Sequence, residues 1–252
     1  GGMPLFDSYI NRKWVIPRQE YFRMHGLDLD KKLIAFAATG LNFSPNSHMI
    51  MALADLVGKE QLGMPAQLLI RLHPNHFKKV PRYKREADAI YALKKQLPHI
   101  HIVEPREMPG DLERYAGEDY PEKASMMAHC DILVTLYSTM VVEVALQDKP
   151  IINACLPTEE GYGQDFWVPI LEVPTFPTST RVNANGAGRL VTNKQELKQV
   201  LTEYLLDPTI DSDKRHKFLL QELTYLDGSA TEHTADFLLD LVNKTNHTPS
   251  EE

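Results

Sequence analysis

Ser138, Thr139 and Glu143 are the residues of this chain best spaced to hold a phosphorylated ligand. They fall in residues 131–152, DILVTLYSTMVVEVALQDKPII, where the apolar run Ile132-Leu133-Val134 meets a Ser-Thr turn and then an amphipathic helix over 140–147. An apolar run of that length reads as a strand buried on both faces of a parallel sheet. Ser and Thr at a helix start accept hydrogen bonds from its orphan N–H groups. The same corner offers free N–H donors and the positive end of the helix dipole to a phosphate. Glu143 lies about one turn further along the helix, still near the strand's carboxyl edge, where open α/β sheets bind ligands. One reading is a diphosphate at Ser138 and Thr139 with a ribose diol accepted by Glu143. The other is an ordinary cap followed by a solvated helix acid.

Four further groups of residues can do chemistry. His73 is pinned in extended backbone by Pro74, and Arg71, two residues earlier on the same strand, shares its face. The pair can contact a diphosphate, His73 stabilising a leaving group and Arg71 gripping phosphate with its planar fork; a strand-end His that merely caps a turn is the alternative. Gly40, after the first strand, permits close backbone approach to a donor, or is a plain turn glycine. Gly228 and Ser229 precede the last long helix and can present N–H groups to an anion, unless Asp227 or Ser229 simply caps it. Gln164 and Asp165, in the aromatic loop GYGQDFW, can bind sugar hydroxyls, or the loop is only anchored by Phe166 and Trp167.

These residues need elements to position them. Residues 33–38, 67–72, 100–103, 131–135, 149–153 and 188–192 read as strands. Helical patterns at 47–58, 82–97, 121–129 and 138–147 separate the first five. Strands alternating with helices mean βαβ units and a parallel sheet covered on both faces. Right-handed crossovers then give a doubly wound, Rossmann-like α/β sheet. Three extra carboxyl-terminal helices follow at 194–206, 214–226 and 230–244, and 245–252 reads as a frayed tail. In 155–185, Pro157, Pro169, Pro174 and Pro177 are expected to break any regular element. Residues 1–30 fit no sheet element and read as a linker or docking arm from a preceding half, leaving 31–244 as the domain.

Composition excludes several classes. At 252 residues and 43% hydrophobic content the chain can bury one large core or two modest ones. No apolar run approaches the ~20 residues needed to span a bilayer, and the opening does not read as a secretory signal. Cys130 and Cys155 lack metal-type spacing and point to a reducing compartment. The Asn-X-Ser/Thr matches at Asn42, Asn243 and Asn246 are then chance occurrences. A net charge of −7 argues against nucleic-acid binding. Six basic residues and no acid between Arg71 and Arg85 form a solvated face, or steer an anionic donor or lipid-linked acceptor. His73/His76 and His99/His101 lack further ligands, so no metal is expected. The chain has no P-loop.

Taken in order, these segments resemble the carboxyl-terminal, nucleotide-sugar donor half of a GT-B glycosyltransferase. The likeness is greatest to the CDP-glycerol glycerophosphotransferases and related capsule polysaccharide transferases. Pro4-Leu5-Phe6-Asp7 is similar to the segment crossing between the two halves, Arg71-Leu72-His73-Pro74 to the corner after the second strand, and residues 131–150 to the donor signature. Asp227-Gly228-Ser229-Ala230 is similar to the opening of the last helix. Thr135-Leu136-Tyr137-Ser138-Thr139 departs from the family's Asp-Tyr-Ser-Ser, which leaves the donor's identity open. The resemblance implies a nucleoside diphosphate sugar or CDP-glycerol-like donor. Its diphosphate would be held by Ser138, Thr139, His73 and Arg71, and its ribose by Glu143. It implies no cofactor, a general base on an amino-terminal acceptor half, and a cytoplasmic location at the inner face of the membrane. A UDP-GlcNAc 2-epimerase-like enzyme is the rival within the fold, disfavoured because no matching set of acids is found. A non-catalytic nucleotide-binding or partner-docking module is the rival outside it.

Overall fold

The computed structural model describes residues 3–40, 46–105, 119–158 and 169–246. Six strands, β1 (Lys32–Ala37), β2 (Ala66–Arg71), β3 (Ile100–Val103), β4 (Ile132–Thr135), β5 (Ile151–Ala154) and β6 (Arg189–Val191), form one sheet ordered β3-β2-β1-β4-β5-β6. Every neighbouring pair is parallel. Strand order reverses between β1 and β4, and a crevice opens outside the carboxyl ends at such a reversal. The expected doubly wound α/β sheet is what the chain forms.

The helices are α1 (Leu5–Ile10), α2 (Arg18–His25), α3 (Asn46–Gly58), α4 (Pro81–Gln96), α5 (Asp119–His129), α6 (Met140–Ala145), α7 (Pro177–Asn185), α8 (Lys194–Leu206), α9 (Ser212–Glu222) and α10 (Ala230–Asn246). Successive strand side chains point to opposite faces, so each strand feeds two cores. Ile34, Phe36, Ile70 and Val134 pack beneath α3, α4 and α8. Leu33, Ala35, Leu69 and Leu133 pack beneath α2, α5, α6 and α9. Asp131 fixes the register at the switch. One carboxylate oxygen accepts the Leu33 N–H at 2.7 Å, and the other meets Lys32 Nζ at 3.2 Å.

Two expectations change. The described part of the arm, residues 3–30, is built into the domain rather than laid upon it. Tyr21 and Phe22 of α2 are buried in the second core. Tyr21 Oη donates to Glu122 Oε1 at 2.7 Å, and Arg18 Nη1 donates to the His129 carbonyl at 2.8 Å. Short helices without strand partners give no period-2 signal, which is why the packing was not visible in the sequence. Secondly, the prolines of 155–185 do not prevent a helix. Pro177 occupies the first turn of α7, where its missing N–H costs nothing. Gly186 ends that helix at φ 64°, a left-handed position suited to glycine. The tail beyond Asn246 lies outside the described residues, and α10 runs two residues past the expected boundary.

The motif Pro4-Leu5-Phe6-Asp7 has a clear structural task. Asp7 closes the amino terminus of α10 from the other end of the chain. Its two oxygens accept the N–H groups of Ala230 at 3.1 Å and Thr231 at 2.7 Å. Burial opposes the charged form, but hydrogen bonds from Thr231 and Ala230 outweigh it and hold the carboxyl below its ordinary value of 3.8. A depressed carboxylate stabilises the fold above its unfolded value and loses that contribution as pH falls through the folded one. Asp7→Ala should therefore cost about 1 kcal/mol at pH 7 and make little difference well below pH 3.8. Urea denaturation at several pH values checks this, with faster amide exchange at Ala230 and Thr231 as the local sign.

Candidate functional site

The turn from β4 into α6 is made by Tyr137, which adopts φ 45°, a left-handed conformation uncommon for a bulky residue. Two asparagines hold it there. Its N–H donates to Asn153 Oδ1 at 3.3 Å, and its hydroxyl meets Asn183 Oδ1 at 2.7 Å. The strain is thus offset by contacts from β5 and α7, and such strain gathers where a chain must present groups to a ligand. Ser138 and Thr139 follow directly. Ser138 Oγ accepts the Met140 N–H at 3.3 Å, a local turn bond, while Thr139, the cap residue of α6, makes no side-chain cap. The N–H groups of Ser138 and Thr139 have no partner among the described residues.

Both residues line a cavity of about 540 Å³ together with Glu143, Tyr120, Lys123 and Tyr137. Met3, Leu5 and Phe6 of the amino-terminal arm and Val182 and Phe218 also line it. Glu143 is buried. Its Oε1 accepts a hydrogen bond from Lys123 Nζ at 2.8 Å, its Oε2 is fully shielded, and the buried phenol of Tyr9 is a hydrogen-bonding neighbour of the same carboxylate. The solvated helix acid that the sequence also allowed is thus replaced by a buried one. Arg181 and Glu222, paired at 3.6 Å, complete the charged lining. The cavity is thus lined by two hydroxyl residues and a few charged groups among apolar side chains, a lining typical of small-molecule sites.

The other candidates lie elsewhere. His73 stands past the end of β2 and starts a short 3₁₀ turn, Pro74–Phe77. Its Nδ1 accepts the Asn75 N–H at 3.1 Å, so a neutral ring carries its proton on Nε2. Burial, helped by the nearby His76, Lys78 and Arg71, lowers its pKa to about 4. His73 is therefore an uncharged donor on the ligand edge and a turn cap at once. Arg71 departs from expectation. It is 2% exposed and its Nη2 is 2.6 Å from Asp119 Oδ2, so its fork is turned inward to an ion pair rather than outward to a phosphate. Gly40 follows β1, and the adjoining Thr39 is clasped by Asn46 through two hydrogen bonds of 2.9 and 3.0 Å. At Gly228 and Ser229 the anion is the protein's own. Asp7 takes the first amides of α10, and Asp227 Oδ1 accepts Ser229 Oγ–H and N–H at 2.5 and 3.1 Å. Gln164 and Asp165 lie outside the described residues.

Sequence reading missed Lys123, Tyr120 and Tyr9. Lys123 and Tyr120 share one face of α5 at a spacing of three, a weak signal that only the approach of Glu143 makes informative.

Against this geometry, the profile of the CDP-glycerol:poly(glycerophosphate) glycerophosphotransferases matches residues 1–240. The chain belongs to this family. Among solved structures, the UDP-GlcNAc 2-epimerase from Neisseria meningitidis bound to UDP-GlcNAc is 16% identical with a TM-score of 0.55, over 95% of this chain and 53% of that one. A variant of the wall teichoic acid polymerase TagF is 15% identical with a TM-score of 0.56, over 98% and 53%. A glycosyltransferase from Rickettsia africae is 13% identical with a TM-score of 0.54, over 92% and 55%. These likenesses concern the fold, which is one half of a GT-B architecture. This glycerophosphotransferase-family chain spans about half the length of each. Comparison with curated proteins returns no match. No helix among the described residues is long and apolar enough to cross a membrane.

Proposed function

We propose that the chain is the donor-binding half of a transferase that moves a glycerophosphate or sugar unit from a nucleotide-activated donor to a growing surface polymer. The observation that carries this is the cavity beside the β4–α6 turn. There Ser138 and Thr139, whose amides have no partner among the described residues, line one cavity together with Glu143. Amides and hydroxyls suit diphosphate oxygens, and a carboxylate suits a vicinal diol. Family membership supports CDP-glycerol as the donor.

The chemistry follows from the donor. Transfer from CDP-glycerol breaks the bond between the two phosphates and frees CMP; transfer from a nucleotide sugar breaks a glycosidic bond and frees a nucleoside diphosphate. In both, negative charge grows on the leaving phosphate, and preorganised donors stabilise it. His73 contributes an Nε2–H donor further along the same edge. The attacking hydroxyl and its base belong to an acceptor-binding half. The exposed Phe237, Leu238 and Leu239 of α10 suit docking of such a half. The reading puts the chain on the cytoplasmic side, at the inner face of the membrane, and assigns no metal to the donor site. The epimerase alternative has the fold likeness alone to support it.

Calorimetry tests the reading. CDP-glycerol and CDP should bind, CMP more weakly, and glycerol 3-phosphate hardly at all. Binding of glycerol 3-phosphate alone, or of none of the four, contradicts it.

A further inference from the structure

We infer that Arg181 is the cation that grips the donor's diphosphate, the role that Arg71, turned inward to Asp119, does not fill. The inference rests on the proposed nucleotide site and adds to it a binding residue that sequence reading did not single out.

Charge balance points to it. The cavity beside the β4–α6 turn has four charged lining residues, Lys123 and Arg181 against Glu143 and Glu222. A diphosphate brings negative charge into this balanced lining, and the amides and hydroxyls of Ser138 and Thr139 carry no net charge to meet it. Lys123 is committed: its Nζ is 2.8 Å from Glu143 Oε1, and its side chain is largely buried. Arg71 is committed too, shielded from water with Asp119 at 2.6 Å. Arg181 differs from both. Its side chain is 56% exposed, and its Nη2 lies 3.6 Å from Glu222 Oε2. That is well beyond the roughly 2.8 Å of a charge-assisted hydrogen bond. An exposed, loose pair of this kind contributes little, so the guanidinium can leave Glu222 for a phosphate at small cost.

The fold keeps this arginine beside the turn. Thr178, one turn earlier on the same face of α7, lines the cavity as well. Asn183, two residues beyond Arg181, accepts the Tyr137 hydroxyl at 2.7 Å and donates to the Pro174 carbonyl at 3.2 Å. Tyr137 directly precedes Ser138, and Val182 packs into the second core. The backbone of α7 is thereby tied to the residues that present the Ser138 and Thr139 amides, while the Arg181 head stays exposed. Its planar fork can meet two phosphate oxygens at once. Glu222 of α9 then competes with the ligand, holding the arginine until a phosphate takes its place.

Calorimetry with pyrophosphate and CDP on the unaltered chain, Arg181→Gln, Arg181→Lys and Glu222→Gln tests this. Arg181→Gln is expected to weaken both ligands roughly 10- to 100-fold, the difference narrowing as salt is raised. Arg181→Lys keeps the charge without the fork and should recover part of the loss. Glu222→Gln should move the other way and tighten both ligands, because the phosphate no longer competes with a carboxylate. A merely structural pair would lose affinity on removal of either partner. If Arg181→Gln leaves pyrophosphate affinity unchanged, or Glu222→Gln fails to tighten it, the inference fails, while CDP bound by the unaltered chain keeps the nucleotide reading. If the unaltered chain binds neither ligand, the nucleotide reading falls and this inference with it.

Discussion

Replacing Arg71 by Met is expected to cost about 3–5 kcal/mol of folding stability. The guanidinium and its partner Asp119 are each 2% exposed in their side chains and meet at 2.6 Å. Removing the arginine takes from a buried carboxylate the cation 2.6 Å away, and the cost of breaking that buried pair dominates. The double variant Arg71→Met with Asp119→Leu should recover most of the loss, because an apolar pair of similar volume removes both desolvation costs. Urea unfolding of the two variants and the unaltered chain measures both numbers. If Arg71→Met costs less than about 1 kcal/mol, comparable to an exposed pair, the buried ion pair is not the role of this residue. A grip on the donor phosphate would then return as its explanation.

Glu143→Ala gives the second large effect, on binding rather than folding. A hydrogen bond to a charged acceptor contributes about 1.5–3 kcal/mol, so affinity for CDP should fall roughly 10- to 100-fold. Pyrophosphate, which has no ribose, should bind the variant about as well as the unaltered chain. Glu143→Gln keeps the shape but not the charge and should fall between the two. Equal losses for CDP and pyrophosphate would show that the substitution disturbs the β4–α6 turn instead of removing a ribose contact.

The sheet was legible because its strands are apolar runs with helical spacing between them. Ile132-Leu133-Val134 is fully buried, and the Ser-Thr corner behind it starts α6 as expected. What lay hidden depended on distant residues. Whether Arg71 points to a phosphate or to an acid is decided by Asp119, 48 positions away, and no local pattern carries that. Glu143 was found from its helix position, but its lysine comes from α5 and its neighbouring phenol, Tyr9, from α1. Gly228 and Ser229 show the same limit. A helix start attracts an anion, and from sequence alone a ligand and the carboxylate of Asp7, 223 positions away from Ala230, satisfy it equally. The prolines misled for another reason: Pro177 breaks a helix when inside it and begins one when first.

A crystal structure of the chain with bound CDP addresses the donor site most directly. The expected density has diphosphate oxygens within hydrogen-bonding distance of the Ser138 and Thr139 amides or hydroxyls, and a ribose hydroxyl on the Glu143 carboxylate. A nucleotide seated away from the β4–α6 turn, or one whose ribose leaves Glu143 untouched, would contradict the assignment.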